Sequence, residues 1–470
     1  MLFSSTIFLF IFLPIVLFVY YVVFHHTNWR NYWLLVASLG FYAWGEPIYV
    51  FLMLLSITGN FCFGLWVDHC REQRNRRLVL VASIIFNLGL LFYFKYAGFF
   101  VTNINFFLGL RFTVPKVVLP IGISFFTFQA MSYVIDVYRC TTEVQKNPCY
   151  LALYISFFPQ LIAGPIVRYN TIVGQISCRS VTLDKFEDGV CRFIQGFGKK
   201  VILSNIMSLT AERVFGLAVQ QDLSVSAAWL GALAYTFQIY FDFSGYSDMA
   251  IGLGKMFGFE FDENFCYPYL SRSVSEFWNR WHISLGQWFR DYVYFPLGGS
   301  RVNKRKMLRN LFVVWLLTGI WHGAAWQFIA WGVAYGIIIS IEKLTNFPKQ
   351  EKSPVVITAY SVFTFLVVVC GWVLFGSYGL HPAVYQLGAM FGIGASGLWE
   401  PLCELILKEY GIYFMAAAIF STPLPGKLAA GLPRNGLYNV GKALLYMLML
   451  LFSVSSLLMG AHNPFIYFNF

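Results

Sequence analysis

Two histidines stand in tryptophan-rich settings 40 residues apart in a very apolar chain. His282 lies in Phe277-Trp-Asn-Arg-Trp-His-Ile-Ser-Leu285, and His322 in Thr318-Gly-Ile-Trp-His-Gly323. The second falls inside a long hydrophobic run, and an ionisable group within a membrane span is a functional-site candidate. Burial disfavours the charged imidazole, so His322 is expected to rest neutral. A neutral imidazole can take a proton from a hydroxyl, or accept an acyl group at nitrogen.

Leu311 opens the apolar run after a basic loop that ends at Arg309. Eleven helical residues then place His322 about 17 Å in, near the middle of a bilayer. Gly319 and Gly323 leave space beside its ring, for a packed helix or for a substrate. Thr318, one turn earlier, could hydrogen-bond the imidazole. The plainer reading of His322 is a structural histidine bridging two helices. For His282 it is an interfacial polar residue, with Asn279 on the same side of its helix. Metal binding is discounted: there is no H-E-x-x-H and no zinc-type Cys/His spacing, and the adjacent His25-His26 suits a loop.

Other polar groups stand among apolar residues. Asp242 and Asp248 lie in Gln238-Ile-Tyr-Phe-Asp-Phe-Ser-Gly-Tyr-Ser-Asp-Met249. Carboxylates at a membrane must be paired, hydrated or protonated. The segment reads as a broken helix, with Asp248 pairing to an arginine such as Arg272 or Arg280 and Asp242 facing a cavity. Phe158-Pro-Gln-Leu-Ile-Ala-Gly-Pro-Ile-Val-Arg168 reads as a kinked corner, where Arg168 caps carbonyls or faces a phosphate. Gly298 and Gly299 are a weak anion-loop signal. The residues assigned to substrate are therefore Asn279, Asp242, Trp321, Arg168 and Thr318.

The elements that must position these groups are membrane helices. Of 470 residues, 58% are hydrophobic and 12% charged; a soluble domain carries about 25% charged residues. Apolar runs recur from end to end, so one all-α integral-membrane domain over 1–470 is expected, with about ten to twelve crossings. The run over 3–23 has no cationic flank or cleavage site, and reads as a retained span. The run 311–344 is long, whereas 32–45, 98–110 and 411–424 are short enough to be re-entrant or interfacial. The nine cysteines, odd in number and without C-x-x-C, point to reduced thiols.

Net charge is +11. The basic clusters at 71–77, 168–200 and 272–309 are expected on the cytoplasmic side. With charge spread among hydrophobic spans, nucleic acid is excluded as a partner. Thr182–Lys200 and Ser273–Arg290 read as amphipathic interfacial helices. The second opens with Ser273 and Glu276 in capping-box spacing, and Trp278, Trp281, Leu285 and Trp288 form a face suited to headgroups. The stretch 345–354 reads as a plain polar loop.

In order, Pro120–Gln129, Phe158–Arg168, Phe241–Asp248, Phe277–Leu285, Gly319–Gly323 and the ending Asn463–Phe470 resemble the membrane-bound O-acyltransferase family. The similarity is to its bacterial branch of alginate O-acetylation, peptidoglycan O-acetylation and D-alanyl-transfer proteins, and it covers essentially the whole chain. It implies helices around a transmembrane tunnel, with donor and acceptor entering from opposite sides. It matches His322 to the family's catalytic histidine and His282 to its second site position.

The resemblance further implies a multi-pass acetyltransferase of the bacterial cytoplasmic membrane. No cofactor is bound in this reading; the donor is an acetyl thioester, acetyl-CoA, docking at the basic face. His282 positions the thioester nearer the cytoplasmic mouth, and His322 acts deeper. The acetyl group passes to a partner, a separate extracytoplasmic polysaccharide O-acetyltransferase. Alginate-type polysaccharide is the first acceptor and peptidoglycan the second. A rival of another class is a transporter of acyl groups or membrane lipid without chemistry.

Overall fold

The computed structural model describes residues 1–24, 26–162, 164–433, 435–459 and 466. His25, Ala163 and all of the 463–470 ending except Ile466 lie outside the described residues. The described chain is helical, without strands. It divides into two compact units, residues 1–193 with 249–262, and residues 194–248 with 263–470.

The first unit holds α1 (Phe8–Val23), α2 (Thr27–Gly45), α3 (Tyr49–His69), α4 (Gln73–Leu108), α5 (Ile123–Tyr138), α6 (Pro148–Ser156) and α7 (Tyr169–Ser177). The apolar runs 78–94 and 98–110 fuse into the single helix α4, because only a π turn over Phe92–Tyr96 separates them. Between α3 and α4, Asn60 and Asn87 exchange amide hydrogen bonds at 3.0 and 2.8 Å. Both are fully buried, and a reciprocal pair leaves neither amide at odds with its apolar surroundings.

Two long helices have residues in both units: α8 (Leu183–Gln220) and α9 (Val225–Met256). The segment expected to lie alone at the interface, 182–200, instead continues through a π turn into the rest of α8. Its apolar residues Phe193 and Phe197 are buried inside the protein. In the first unit a Cβ on Gly252 would sit 2.6 Å from Gly189 O. In the second, one on Gly245 would sit 2.8 Å from Gly196 O. Small residues let the two backbones touch.

The helix α9 is unbroken through Asp242 and Asp248, contrary to the sequence expectation. Both carboxylates pair with lysines rather than arginines. Lys200 Nζ is 2.7 Å from Asp242, and Lys199 Nζ 2.6 Å from Asp248. Asp242 also accepts the backbone N–H of Ile466 at 2.9 Å.

The rest of the second unit comprises α10 (Val274–Arg280), α11 (Ile283–Phe289), α12 (Lys304–His322), α13 (Trp326–Thr345), α14 (Pro354–Gly376), α15 (Leu380–Met390), α16 (Pro401–Phe420), α17 (Leu424–Ala430) and α18 (Gly436–Leu458). The run 311–344 is not one span. It breaks at 323–325 into the hairpin α12–α13, whose backbones touch at glycines. A Cβ on Gly332 would meet Trp315 O at 2.5 Å, and one on Gly319 would meet Phe328 O at 2.4 Å.

Six described helices are long and apolar enough to cross a membrane. That is fewer than the ten to twelve expected: α2, α9, α12 and α16 are 19 to 32 residues long but too polar or charged to count, and other apolar runs fold as shorter helices. The chain is an integral membrane protein.

Candidate functional site

His322 is the last residue of α12, at the tip of the hairpin, and is buried. The glycines around it serve helix packing rather than substrate space. A Cβ on Gly323 would fall 2.2 Å from the Phe328 ring, and Gly319 faces the Phe328 carbonyl. The Thr318 hydroxyl donates to Val314 O at 2.8 Å, back along its own helix. The His322 imidazole packs edge-on against Trp321, Trp331 and Phe375, with centroids 5.0, 5.2 and 5.0 Å away.

His282 is not on a continuous interfacial helix. It is the second of the two residues, Trp281 and His282, at the break between α10 and α11, in the left-handed conformation with φ 47° and ψ 51°. A residue with a Cβ pays roughly 1–3 kcal/mol to sit there, so its surroundings must hold it. Asn264 does this from 18 residues upstream. Its backbone carbonyl accepts the Ile283 N–H at 3.0 Å, and its side-chain oxygen accepts the Ser284 N–H at 3.0 Å and hydroxyl at 2.9 Å. Cys266 N–H closes the other side on Arg280 O at 2.9 Å.

The helix before the break is held from another direction. Glu342 on α13 accepts the N–H groups of Val274 and Ser275, each at 2.8 Å, and the Tyr360 hydroxyl at 3.0 Å. Its buried carboxylate thereby satisfies two backbone donors that open α10. The expected capping box forms only in half. Ser273 Oγ accepts the Glu276 N–H at 3.0 Å, whereas Glu276 reaches the Arg272 N–H. The aromatic face assigned to headgroups turns inward: Trp281, Leu285 and Trp288 are buried.

Both histidines line one cavity of about 800 Å³, with Asn279 and Thr318. A single indole joins them, since the Trp321 ring centroid is 6.3 Å from that of His282 and 5.0 Å from that of His322. The cavity continues past Trp278 and Trp315 to Arg272, Lys343, Phe347 and Lys349. The 345–354 stretch is thus part of the site, which its polar composition did not signal. Among the described residues Arg272, Lys343 and Lys349 have no carboxylate in ion-pair range, whereas Arg280 and Arg290 pair with Glu276 and Asp291.

Three of the five residues assigned to substrate are not among those lining this cavity: Trp321, which packs beside both imidazoles, Asp242 and Arg168. Asp242 is fully buried in its ion pair with Lys200. Arg168 belongs to the first unit, where it precedes α7. Burial lowers the His282 pKa to about 3, and a backbone hydrogen bond offsets this only in part. That imidazole is neutral at physiological pH. Among the described residues no three metal-ligating side chains cluster.

The arrangement is an aromatic-lined cavity with two imidazoles on its wall and, among the described residues, three cations without carboxylate partners on its lining. A family model described as MBOAT, membrane-bound O-acyltransferase family, matches residues 126–379. The chain is 42% identical to "Probable alginate O-acetylase AlgI" of Pseudomonas putida, over all of both chains. It is 47% identical to the protein of that name from Pseudomonas syringae, over 84% of this chain and 76% of the relative. A "Peptidoglycan O-acetyltransferase" of Helicobacter pylori is 34% identical over 85% of this chain and 81% of its own.

Proposed function

The chain belongs to the membrane-bound O-acyltransferase family, and from that premise we propose that it transfers acetyl groups from a cytoplasmic thioester for O-acetylation of an exported polysaccharide. One observation carries the reading: both histidines line the same cavity, whose lining also includes Arg272, Lys343 and Lys349. Cations without carboxylate partners suit the phosphates of acetyl-CoA. The aromatic walls suit its apolar arm, and the positive-inside rule puts this basic region in the cytoplasm.

The chemistry then follows from position. His322 accepts the proton of an acceptor hydroxyl at a ring nitrogen. The hydroxyl oxygen forms a bond to the thioester carbonyl carbon, the carbon–sulfur bond breaks, and the thiolate leaves to be protonated. His282, neutral and clamped, orients the thioester. An extracytoplasmic acetyltransferase takes the acetyl group onward. The names of the relatives favour alginate as the final acceptor, and the Helicobacter relative puts peptidoglycan second.

The test is turnover of labelled acetyl-CoA by the purified protein. His322→Ala is expected to lose roughly 10²–10⁴-fold while still inserting and folding. Near-normal turnover by that variant overturns the assignment. Absence of any thioester chemistry in the active protein favours a transporter instead. Acetyl trapped on His322 would replace base catalysis with a covalent route.

A further inference from the structure

Arg30 and Arg179 stand over one tyrosine ring without a carboxylate between them. Arg30 Cζ is 4.9 Å and Arg179 Cζ 5.7 Å from the Tyr20 centroid, and Arg179 also lies 4.3 Å from that of Phe259. All four residues are in the first unit. Every hydrogen bond they make goes to a neutral group. Arg179 donates to the Tyr20 hydroxyl at 3.1 Å, Phe257 O at 3.0 Å and Asn31 Oδ1 at 2.6 Å. Arg30 Nε donates to Tyr20 O at 3.2 Å and Phe24 O at 2.9 Å. Its terminal nitrogens have no protein acceptor among the described residues.

No acid answers this charge among the described residues. Glu260, whose backbone meets Gln175 beside the site, spends its carboxylate on Lys185 at 2.7 Å. Burial pushes the Arg179 pKa down, and the charge of Arg30 adds to that effect. Two like charges held together in a partly dry site call for an anion.

The surroundings say which anion is at hand. Trp29 and Tyr32 flank Arg30 in sequence and are exposed, at 58% and 36%. Exposed tryptophan and tyrosine at a helix end mark the headgroup level. The Tyr150 hydroxyl bonds Asn28 at 2.8 Å, which ties the start of α6 to this same end of α2. The available anion at that level is a lipid phosphate.

We propose that Arg30, backed by Arg179 across the Tyr20 ring, binds the phosphate of an anionic phospholipid headgroup, with its acyl chains along the exposed Trp29–Tyr32 face. The site belongs to the first unit and uses neither His282 nor His322.

The test is native mass spectrometry of the full chain in detergent, titrated with phosphatidylglycerol, phosphatidylcholine or inorganic phosphate. One phosphatidylglycerol is expected to bind saturably and more tightly than phosphatidylcholine. Arg30→Gln should weaken it about tenfold, and Arg74→Gln, in the basic cluster at 71–77, should leave it unchanged. Equal weakening in both variants would mean a diffuse surface field and overturn the site. So would undiminished binding by Arg30→Gln, or displacement of the lipid by inorganic phosphate at equal concentration. If Arg30→Gln does not fold, Arg30→Lys replaces it. A point charge in place of the planar fork should weaken binding several-fold, and unchanged binding overturns the site.

Discussion

Asn264 Oδ1 is 3.0 Å from the backbone nitrogen of Ser284 and 2.9 Å from its hydroxyl. This one side chain begins α11 and so fixes the left-handed turn at His282. Replacing a capping Asn by Ala typically costs about 0.5–2 kcal/mol. Asn264→Ala should therefore fold with a modestly lower melting temperature. Its acetyl transfer should fall by far more than that stability loss accounts for, on the order of 10-fold or greater, because the imidazole loses its fixed direction. Thermal unfolding and acetyl-CoA turnover measured on one preparation separate the effects. A variant that is destabilised yet fully active would make Asn264 purely structural.

The buried His282 gives a pH signature. Its pKa is about 3 in the folded protein against an ordinary value of 6.5. Between those values the unfolded chain binds a proton that the folded chain does not, so stability rises with pH across that window. The unfolding midpoint should drop from pH 7 to pH 4 in the native protein. The drop should be smaller in His282→Gln, which lacks the titrating group. Turnover should show no inflection from His282 between about pH 5 and 9. Equal acid sensitivity in both proteins would contradict the buried neutral ring.

Both histidines were legible in the sequence, since an ionisable group in so apolar a setting stands out and the flanking motifs are specific. Their supports were not. Asn264 and Glu342 act on backbone donors 20 and 68 residues away, and no periodicity reports such a contact. The break at His282 was hidden for a related reason. Ser273–Arg290 has a helical pattern of aromatic residues, but Asn264 and Cys266 take over the backbone bonds at the break. Asp242 and Asp248 were rightly seen to need partners. The lysines stand next to each other in α8, and only the packing of α8 on α9 shows which pair each carboxylate makes.

The hairpin depends on glycine at its closest approach. A Cβ at Gly319 would stand 2.4 Å from Phe328 O, a backbone atom that cannot swing aside. Gly319→Ala should therefore force α12 and α13 apart at a cost of about 1–3 kcal/mol. The strain lies one turn from His322, so transfer should fall together with thermal stability. Gly89, with nothing within 4 Å of its would-be Cβ, is the control. Gly89→Ala should leave both quantities within error. If Gly319→Ala behaves like the control, the hairpin is looser than its glycine contacts require.

Lys200 and Asp242 form a fully enclosed ion pair in the second unit, with side chains 1% and 0% exposed and 2.7 Å between nitrogen and oxygen. Removing one partner of such a pair leaves a charge in an apolar core, which typically costs about 3–5 kcal/mol. Lys200→Met should accordingly lower the melting temperature steeply, or prevent accumulation of folded protein. Replacing both charges is a different experiment. Lys200→Met combined with Asp242→Leu removes the desolvation cost with the attraction, and should recover most of the lost stability. The recovery should stay incomplete, because Asp242 also accepts the Ile466 N–H at 2.9 Å. Deleting the chain from Pro464 onward should then cost less in the double variant, where that bond is already gone, than in the native protein. A double variant as unstable as Lys200→Met alone would show that the pair does more than neutralise itself. One as stable as the native protein would show that the bond to Ile466 contributes nothing measurable.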